Sequence, residues 1–257
     1  MPALRDPAAI RAILQQDRPW SAYFLADLAP GFFEQCSWFR NEGQPSSLAA
    51  LYQAFAPPVL FALGDAASLA TLLDEVSIQP SLYLHVRPEM ARLVAARYRI
   101  PKLQPMWRML LARDAYRGET SGSIRLTAAD QTGLEQLFSD AEALGQRPDF
   151  FFPSMLEQGI FYGILERGEL IAVAGTHVVA PSEGVAAVGN VYTRSDRRGR
   201  GLAARVTSAV VNQLLRMNLE TIVLNVAQQN TAAARIYQRL GFKIYCSYYE
   251  GLAERGV

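Results

Sequence analysis

The stretch that decides the fold of this chain reads Val191-Tyr192-Thr193-Arg194-Ser195-Asp196-Arg197-Arg198-Gly199-Arg200-Gly201-Leu202-Ala203. An apolar strand, Val185 to Tyr192, leads into this turn, and an alanine-rich amphipathic helix follows it directly. Such a turn presents consecutive backbone N–H groups at a helix N-terminus, where the helix dipole also favours negative charge. Gly199 and Gly201 leave room for a phosphate to approach and adopt positive φ without strain. The local pattern therefore predicts a pyrophosphate-binding turn.

A second informative segment follows after an intervening strand, Thr221 to Val226. It reads Asn230-Thr231-Ala232-Ala233-Ala234-Arg235-Ile236-Tyr237-Gln238-Arg239-Leu240-Gly241-Phe242. Asn230 is a preferred helix N-cap, and Gly241 suits the left-handed residue that ends a helix. Two helical turns separate Asn230 from Tyr237, so both can face one bound molecule.

Together, the two segments resemble the GNAT superfamily of acyl-CoA-dependent N-acyltransferases. Arg198-Gly199-Arg200-Gly201-Leu202-Ala203 fits that family's Gln/Arg-x-x-Gly-x-Gly/Ala coenzyme A loop. Asn230 through Phe242 fits its Asn-x-x-Ala-x-x-x-Tyr-x-x-x-Gly-Phe closing motif. The resemblance extends from roughly Ser123 to Tyr249. The family often has Pro where this chain has Thr193, a departure at a solvent-side position.

The resemblance implies acetyl-CoA as co-substrate, without a metal. In the family, the strand that ends at Thr193 splays from its neighbour, and the freed backbone groups bind pantetheine and polarise the thioester carbonyl. Gly189-Asn190 suits the bulge that accompanies this splay. The side chains of Arg198 and Arg200 either pair with phosphate oxygens or form a solvated basic loop, and backbone amides carry most of the recognition. The implied coenzyme-binding residues are Val191, Tyr192, Thr193, Arg198, Gly199, Arg200, Gly201, Leu202, Ala203 and Asn230.

Tyr237 is the candidate general acid. An expelled thiolate needs a proton, and a phenol with an ordinary pKa of ~10 can supply it. Ile236 and Leu240 are expected to face the sheet, with Tyr237 directed towards the coenzyme sulfur. A packed tyrosine with a hydrogen-bonded hydroxyl is the structural alternative.

The general base is left open among four possibilities. His177 lies on a predicted central strand, and an imidazole has an ordinary pKa of ~6.5, but it equally suits a core histidine. Glu183 is expected in a turn near the same sheet edge, and Glu250 follows the last strand. Both are compatible with solvated carboxylates. Many relatives use a water chain instead. Phe150-Phe151-Phe152 either lines the acceptor pocket or packs between domains.

Composition narrows the class of protein. Half of the 257 residues are apolar and 19% are charged. The net charge is +1 and the two halves of the chain are similarly balanced, so neither half is basic enough to favour a nucleic-acid partner. Two cysteines are too few for a disulfide framework, which favours a reducing compartment. The first residues lack a basic head followed by an apolar core, and no apolar run is long enough for a bilayer. We expect a cytoplasmic monomer or homodimer with no membrane partner.

Alternating helix and strand signals predict an α/β (α+β) fold, with a mixed, mostly antiparallel central sheet flanked by helices. The predicted linker, Asp114 to Ser123, is polar and contains two glycines. It divides an accessory domain (1–118) from a catalytic GNAT domain (119–257). The first half has no Gly-x-Gly turn. Because the family often occurs in tandem, this half is interpreted as a degenerate GNAT-like copy.

The leading functional prediction is an N-acetyltransferase. It would move the acetyl group of acetyl-CoA to a primary amine of a small molecule or amino acid, by direct attack in a ternary complex. The glycine N-acyltransferase-like branch also has an extra N-terminal domain, so a longer acyl-CoA donor is an alternative, as is a non-catalytic acyl-CoA sensor. A Rossmann enzyme is disfavoured, because Gly199-x-Gly201 lacks the third glycine and the strand Thr221 to Val226 has no acidic residue at its end.

Overall fold

The computed structural model describes residues 4–41, 47–76, 79–148 and 150–255. The α-helices in these residues are α1 (Pro7–Leu14), α2 (Arg18–Ala26), α3 (Ala66–Val76), α4 (Pro88–Ala95), α5 (Gln131–Ala143), α6 (Met155–Gln158), α7 (Leu202–Arg216) and α8 (Thr231–Arg239). The strands are β1 (Cys36–Asn41), β2 (Ser47–Tyr52), β3 (Val59–Leu63), β4 (Ser81–Val86), β5 (Tyr98–Arg99), β6 (Gln104–Leu111), β7 (Ile124–Leu126), β8 (Phe161–Glu166), β9 (Glu169–Ala180), β10 (Val185–Thr193), β11 (Thr221–Ala227) and β12 (Phe242–Arg255). Within the described ranges, no helix has the length and hydropathy needed to cross a bilayer.

Three of the helices, α1, α2 and α8, begin at a capping side chain. The carboxylates of Asp6 and Asp17 accept backbone N–H bonds of 2.9 and 3.2 Å at the starts of α1 and α2. The side chain of Asn230 accepts the N–H of Ala233 at 3.1 Å, which confirms its predicted role as the N-cap of α8. A side-chain oxygen at this position bonds one of the N–H groups that a helix start leaves unpaired.

The chain divides into two compact units. Unit 1 comprises Met1–Arg108, Ala227–Gln229 and Ile244–Val257, in their described parts, and unit 2 comprises Met109–Val226 and Asn230–Lys243. This division differs from the boundary predicted at residue 118. Strands β6 and β12 each contribute residues to both units, so the chain leaves unit 1, builds unit 2 and returns.

The segment predicted as a linker packs on α7 within unit 2. The hydroxyl of Tyr116 lies 3.0 Å from the Ser208 carbonyl and 2.9 Å from Oδ1 of Asn212. Arg205 donates to the Ser121 carbonyl at 3.1 Å. The polar, glycine-containing composition suggested a free connection, but these contacts make the segment part of the unit.

The sheet of unit 1 has the strand order β1-β2-β3-β4-β12. The pair β3–β4 is parallel, and the other neighbours in this order are antiparallel. Leu72 of α3 and Val94 of α4 are buried in the same core cluster as Leu84 of β4. Helix α4 ends at Ala95, shortly before Tyr98, which begins β5 and pairs with the end of β12.

The sheet of unit 2 has the order β7-β8-β9-β10-β11. Its first four strands are antiparallel neighbours, and β11 then runs parallel to β10. Phe138 of α5 is buried with Phe161 and Val173 of the sheet, and α7 buries Val206 and Val210. The predicted mixed, mostly antiparallel sheet flanked by helices is confirmed.

The close packing of β9 in unit 2 predicts the effect of adding a methyl group. A Cβ on Gly175 would overlap the Phe161 ring, so Gly175→Ala should lower the free energy of unfolding by about 1–3 kcal/mol. Gly133 in α5 is the matched control, because its Cβ would meet no atom within 4 Å and alanine favours helix by roughly 0.8–1.0 kcal/mol. Urea denaturation measures both. A Gly175→Ala variant as stable as Gly133→Ala would contradict this packing.

Candidate active site

The parallel pair β10–β11 separates part-way along its length. The pairing runs from Val185–Thr221 to Val188–Leu224 and ends there in the described chain, although β10 continues to Thr193. The last residues of β10 therefore have no ladder partner on the side of β11. Since buried backbone groups need hydrogen bonds, this edge suits a ligand that carries its own donors and acceptors.

A bulge in β10 coincides with this separation. Pairing with β9 shifts register between Gly189 and Tyr192, so that Asn190 and Val191 oppose the single residue Ala174. Asn190 has a left-handed φ of 51°, which asparagine tolerates better than most residues. The bulge predicted at Gly189-Asn190 is present.

Polar side-chain atoms are buried at the same place without hydrogen-bond partners among the described residues. They are both polar atoms of the Asn190 amide, the hydroxyl of Tyr192 and the hydroxyl of Thr193. Asn190 is only 4% exposed. Buried polar groups are normally bonded, so the Asn190 amide is a candidate to bond a polar ligand. Tyr192, in contrast, packs in the hydrophobic core of unit 2. The sequence predicted Asn190 only as part of the bulge. The one feature of the sequence that could have indicated a ligand contact is its position directly after Gly189 within a strand.

The predicted glycine turn is open to solvent. Gly199 and Gly201 have φ values of 77° and 73°, and a Cβ on either would meet no heavy atom within 4 Å. Gly201 is the N-cap residue of α7 and makes no side-chain cap bond, whereas Asn230 caps α8. Leu202 is 3% exposed and anchors the first turn of α7. The start of α7 thus presents uncapped N–H groups, as an anion site requires.

The arginines of the turn are held by neighbouring groups. Arg200 and Arg197 both bind the carboxylate of Glu166, at 3.0 and 2.5 Å, and these bonds lower the pKa of Glu166. Arg198 donates to the Thr193 carbonyl at 3.2 Å. Neither Arg198 nor Arg200 is simply solvated, and a phosphate would have to compete with Glu166 for Arg200. The sequence gave no signal for Glu166, because only the β8–β9 hairpin brings it to the turn.

The parallel direction of β10 and β11 puts Asn230 at the same sheet edge as the glycine turn. Farther along α8, Tyr237 is 7% exposed and lies on the buried helix face with Ala234 and Leu240, while Ile236 is half-buried. Of the two residues expected to face the sheet, Leu240 is buried and Ile236 is only half-buried, because the buried face of α8 follows the helical period from Ala234 through Tyr237. Burial raises the pKa of Tyr237 to about 12, so the phenol keeps its proton at neutral pH.

The two carboxylate candidates for a general base are not where the sequence suggested. Glu183 lies in the 3₁₀ turn before β10, at the opposite end of the strand from the glycine turn. Nine strand residues separate the two ends by roughly 25–30 Å. Glu183 is also only 9% exposed, so the expectation of a solvated carboxylate near the site is wrong on both points. His177, in contrast, lies against Gly189.

Glu250 belongs to a buried polar network in unit 1. It accepts the hydroxyl of Tyr248 at 2.7 Å and lies 3.4 Å from Nδ1 of His85. Nε2 of His85 is 2.7 Å from Nη2 of Arg108, which is fully buried. Because Arg108 only donates, Nε2 of His85 must accept, which leaves its proton on Nδ1, towards Glu250. The expectation that Glu250 is a solvated carboxylate is wrong.

Aromatic rings complete the surroundings of Arg108. Its guanidinium lies 4.8 Å from the ring centre of Tyr23, 5.5 Å from that of Trp20 and 5.7 Å from that of Tyr248. These contacts and the Glu250 charge offset part of the desolvation of a buried cation. Burial, followed by the charge of Arg108, lowers the pKa of His85 despite Glu250.

The phenylalanine run divides between core and surface. Phe151 packs edge-on against Phe138 and Phe161, with ring centres 5.0 and 6.0 Å away, in the core of unit 2. Phe152 is 46% exposed. The core interpretation therefore holds for Phe151, but within one unit.

In unit 1, the corresponding edge of the parallel pair β3–β4 is closed by the chain itself. A Cβ on Gly64, directly after β3, would overlap the Ser47 side chain. The indole N–H of Trp20 donates to the Ala62 carbonyl at 3.0 Å. In unit 2 the turn is open and the strand edge has no ladder partner. In unit 1 the Ser47 side chain occupies the space beside the glycine, and the Trp20 indole bonds the strand edge.

A profile of the acetyltransferase (GNAT) family matches residues 115–242, which contain the β10 bulge, the glycine turn and α8. The chain belongs to the GNAT acetyltransferase family. A tandem GNAT protein from the clavulanic acid biosynthesis pathway shares the fold with a TM-score of 0.58 at 15% identity, over 97% of this chain and 94% of that one. This GNAT protein therefore has the fold of a solved tandem member over nearly all of its length.

Two curated relatives have named substrates. A mycothiol acetyltransferase of Thermobispora bispora is 28% identical over 68% of this GNAT chain and 65% of its own. An L-methionine sulfoximine/L-methionine sulfone acetyltransferase of Pseudomonas aeruginosa is 30% identical over 30% of this chain and 46% of its own. The chain spans from 41% to 65% of the length of the mycothiol acetyltransferases it matches.

The buried network of unit 1 predicts a loss of stability in acid. Burial lowers the pKa of His85, so its contribution is complete above its ordinary pKa of 6.5 and is lost as pH falls towards its folded-state pKa. Burial alone would raise the pKa of Glu250, but the His85 hydrogen bond and charge, with Tyr248 and Arg108, hold it below 4.5. Its contribution is lost only as pH falls below that value.

The contribution of His85 to the free energy of unfolding should therefore decrease from pH 7 to pH 5, so the wild type should lose stability relative to His85→Gln over this range. Gly133→Ala is the control: its Cβ would meet no heavy atom within 4 Å, so this variant should retain the wild-type pH dependence. Urea titrations at each pH make the comparison. Identical pH slopes for wild type and His85→Gln would count against a neutral, buried His85.

Proposed function

We propose that this GNAT protein is an acyl-CoA-dependent N-acetyltransferase, which moves the acetyl group of acetyl-CoA to a primary amine of a small molecule or amino acid. The observation that carries the proposal is the separation of β10 from β11 beyond Val188, beside a glycine turn at an uncapped helix start. The strand edge fits a chain of amides, and the helix start fits a pyrophosphate. Coenzyme A carries both groups in one molecule.

The residues present fit this donor. The backbone of Gly199–Ala203 would hold the pyrophosphate, and the backbone of Val191–Thr193 would hold the pantetheine amides. The buried, unpartnered amide of Asn190 adds a donor and an acceptor on the same strand. The thioester of the donor supplies an acyl group activated for attack by an amine.

Tyr237 would act on the leaving group. The phenol is protonated at neutral pH, so a proton is available as the carbon–sulfur bond breaks, although burial raises its pKa to about 12 and makes it a weaker acid than an exposed tyrosine. The amine attacks the thioester carbonyl directly, with both substrates bound. The amine nitrogen gives up two protons in total: one replaces the proton that Tyr237 transfers to sulfur, and the other passes to solvent.

The names of the relatives support a small acceptor that carries an amine, either a thiol-containing metabolite or an amino-acid derivative. Unit 1 would be an accessory, degenerate GNAT-like domain that binds no coenzyme, because Ser47 and Trp20 fill the edge that unit 2 leaves open. Release of free thiol from acetyl-CoA, screened over amines and amino acids, tests the proposal. Faster release from a longer acyl-CoA favours the longer-donor alternative, and binding without release to any acceptor favours a sensor.

Gly201→Glu should abolish acetyl-CoA binding, because it places a carboxylate and a side chain where the phosphates lie. We expect an affinity loss of at least about 100-fold, or roughly 2.7 kcal/mol, by calorimetry. Gly31→Glu is the control: Gly31 also has positive φ (86°) and open space, but it lies in unit 1. Equal affinities of the two folded variants would refute the assignment of the turn.

Tyr237→Phe should lower kcat by about 10²–10⁴-fold and leave coenzyme affinity nearly unchanged, because it removes the transferable proton and keeps the ring. Tyr162→Phe removes the hydroxyl of a half-buried tyrosine in the same unit and should retain turnover. Pre-steady-state kinetics establishes that chemistry is rate-limiting. Near-normal turnover of Tyr237→Phe under those conditions would make Tyr237 a packing residue.

A further inference from the structure

A second irregularity lies on β9, directly beside the bulge of β10. Ala187 pairs with Val178 and Val188 pairs with Thr176, so His177 is an extra residue between two consecutive pairs. A strand bulge of this kind redirects a side chain and often occurs next to an active site. His177 is therefore the extra residue of a strand bulge, and its imidazole side chain can accept a proton.

The imidazole of His177 lies against the backbone of β10 at Gly189. A Cβ on Gly189 would overlap Nε2, Cδ2 and Cε1 of the ring, so only glycine leaves room for it. Gly189 is the first residue of β10 beyond the end of the parallel pairing with β11. His177 is half-buried and so is partly accessible. A titratable side chain thus lies where the strand edge opens.

The other titratable side chains on β9 and β10 are Glu169 and Tyr192. Glu169 binds Arg194 at 2.9 Å, and Tyr192 is buried in the hydrophobic core of unit 2. Glu183 lies at the far end of β10, and Glu250 is bonded within unit 1. Of the candidate bases in the sequence, His177 alone borders the opening.

We propose that His177 is the general base of the transfer reaction, an inference that rests on the proposed function. An acceptor amine is protonated at neutral pH and must lose a proton before its nitrogen attacks. The imidazole accepts that proton, the carbon–nitrogen bond forms, the carbon–sulfur bond breaks, and sulfur takes the Tyr237 proton. The attacking nitrogen gives its second proton to the Tyr237 phenolate, and the ring returns the first proton to solvent, which closes the proton balance.

The first experiment varies the basicity of the acceptor. His177→Gln should lower kcat/KM by about 10²–10⁴-fold for alkyl amines, which are protonated at the assay pH. It should have a much smaller effect on weakly basic amines that are already neutral. Added imidazole should restore part of the lost rate. Gly189→Ala, which displaces the ring, should show the same dependence on acceptor basicity, while Gly133→Ala should behave as wild type.

A merely structural role would reduce the rate equally for both acceptor classes. Equal losses in a His177→Gln variant that binds acetyl-CoA normally would therefore overturn the inference. That result leaves the proposed function intact, because the wild-type protein still transfers. Failure of the wild-type protein to transfer to any amine would instead contradict the proposed function.

A binding measurement decides the position of His177 independently of turnover. The chain has two histidines, so nitrogen-detected NMR gives two imidazole ring systems, and His177→Gln identifies which belongs to His177. Addition of coenzyme A should shift the His177 ring signals. An unshifted His177 in a protein saturated with coenzyme A would place it away from the donor and overturn the inference.

Discussion

The separation of two parallel strands is the constraint on which the candidate site depends. Backbone groups at a sheet interior are normally bonded to a neighbouring strand, and β10 loses that neighbour after Val188. The bulge at Asn190, the open turn at Gly199 and Gly201, and the uncapped start of α7 follow in chain order from this point. Each leaves donors or acceptors for a ligand, so the site is made mostly of backbone. In the proposed reaction, the side chains of Tyr237 and His177 would add proton transfer to this binding surface.

In unit 1, side chains of the chain itself occupy the corresponding edge of the parallel strand pair. Its parallel pair β3–β4 has a glycine after the first strand, but Ser47 occupies the space beside Gly64, and Trp20 bonds the Ala62 carbonyl. The core next to Trp20 contains a fully buried arginine, Arg108, whose charge is offset by aromatic rings and Glu250. The network joins β4, β6 and β12, so it stabilises the part of the chain that returns from unit 2. A protein cut at residue 118 would lose β4, the partner of β12.

Local sequence signals predicted much of the element order. The capping residue Asn230 located the start of α8, and the strand before the glycine turn and the helix after it located β10 and α7. The errors occurred where a residue's environment depends on distant segments. Glu250 looked solvated because it follows two tyrosines near a chain end, yet His85 is its neighbour in the folded unit. Nothing in the sequence indicated that Glu166 binds Arg197 and Arg200, because the β8–β9 hairpin, and not a local motif, brings it to them.

The sequence by itself determined the family, the phosphate-type turn and the candidate acid, because glycine spacing, capping and helical period are local properties of the backbone. Only the tertiary structure decided which polar side chains share one environment. It moved Glu183 to the far end of β10, put Glu250 into the network of Arg108, and placed His177 against Gly189. These positions follow from strand pairing. Register and bulges determine which residues are neighbours, and both depend on segments that are far apart in the chain.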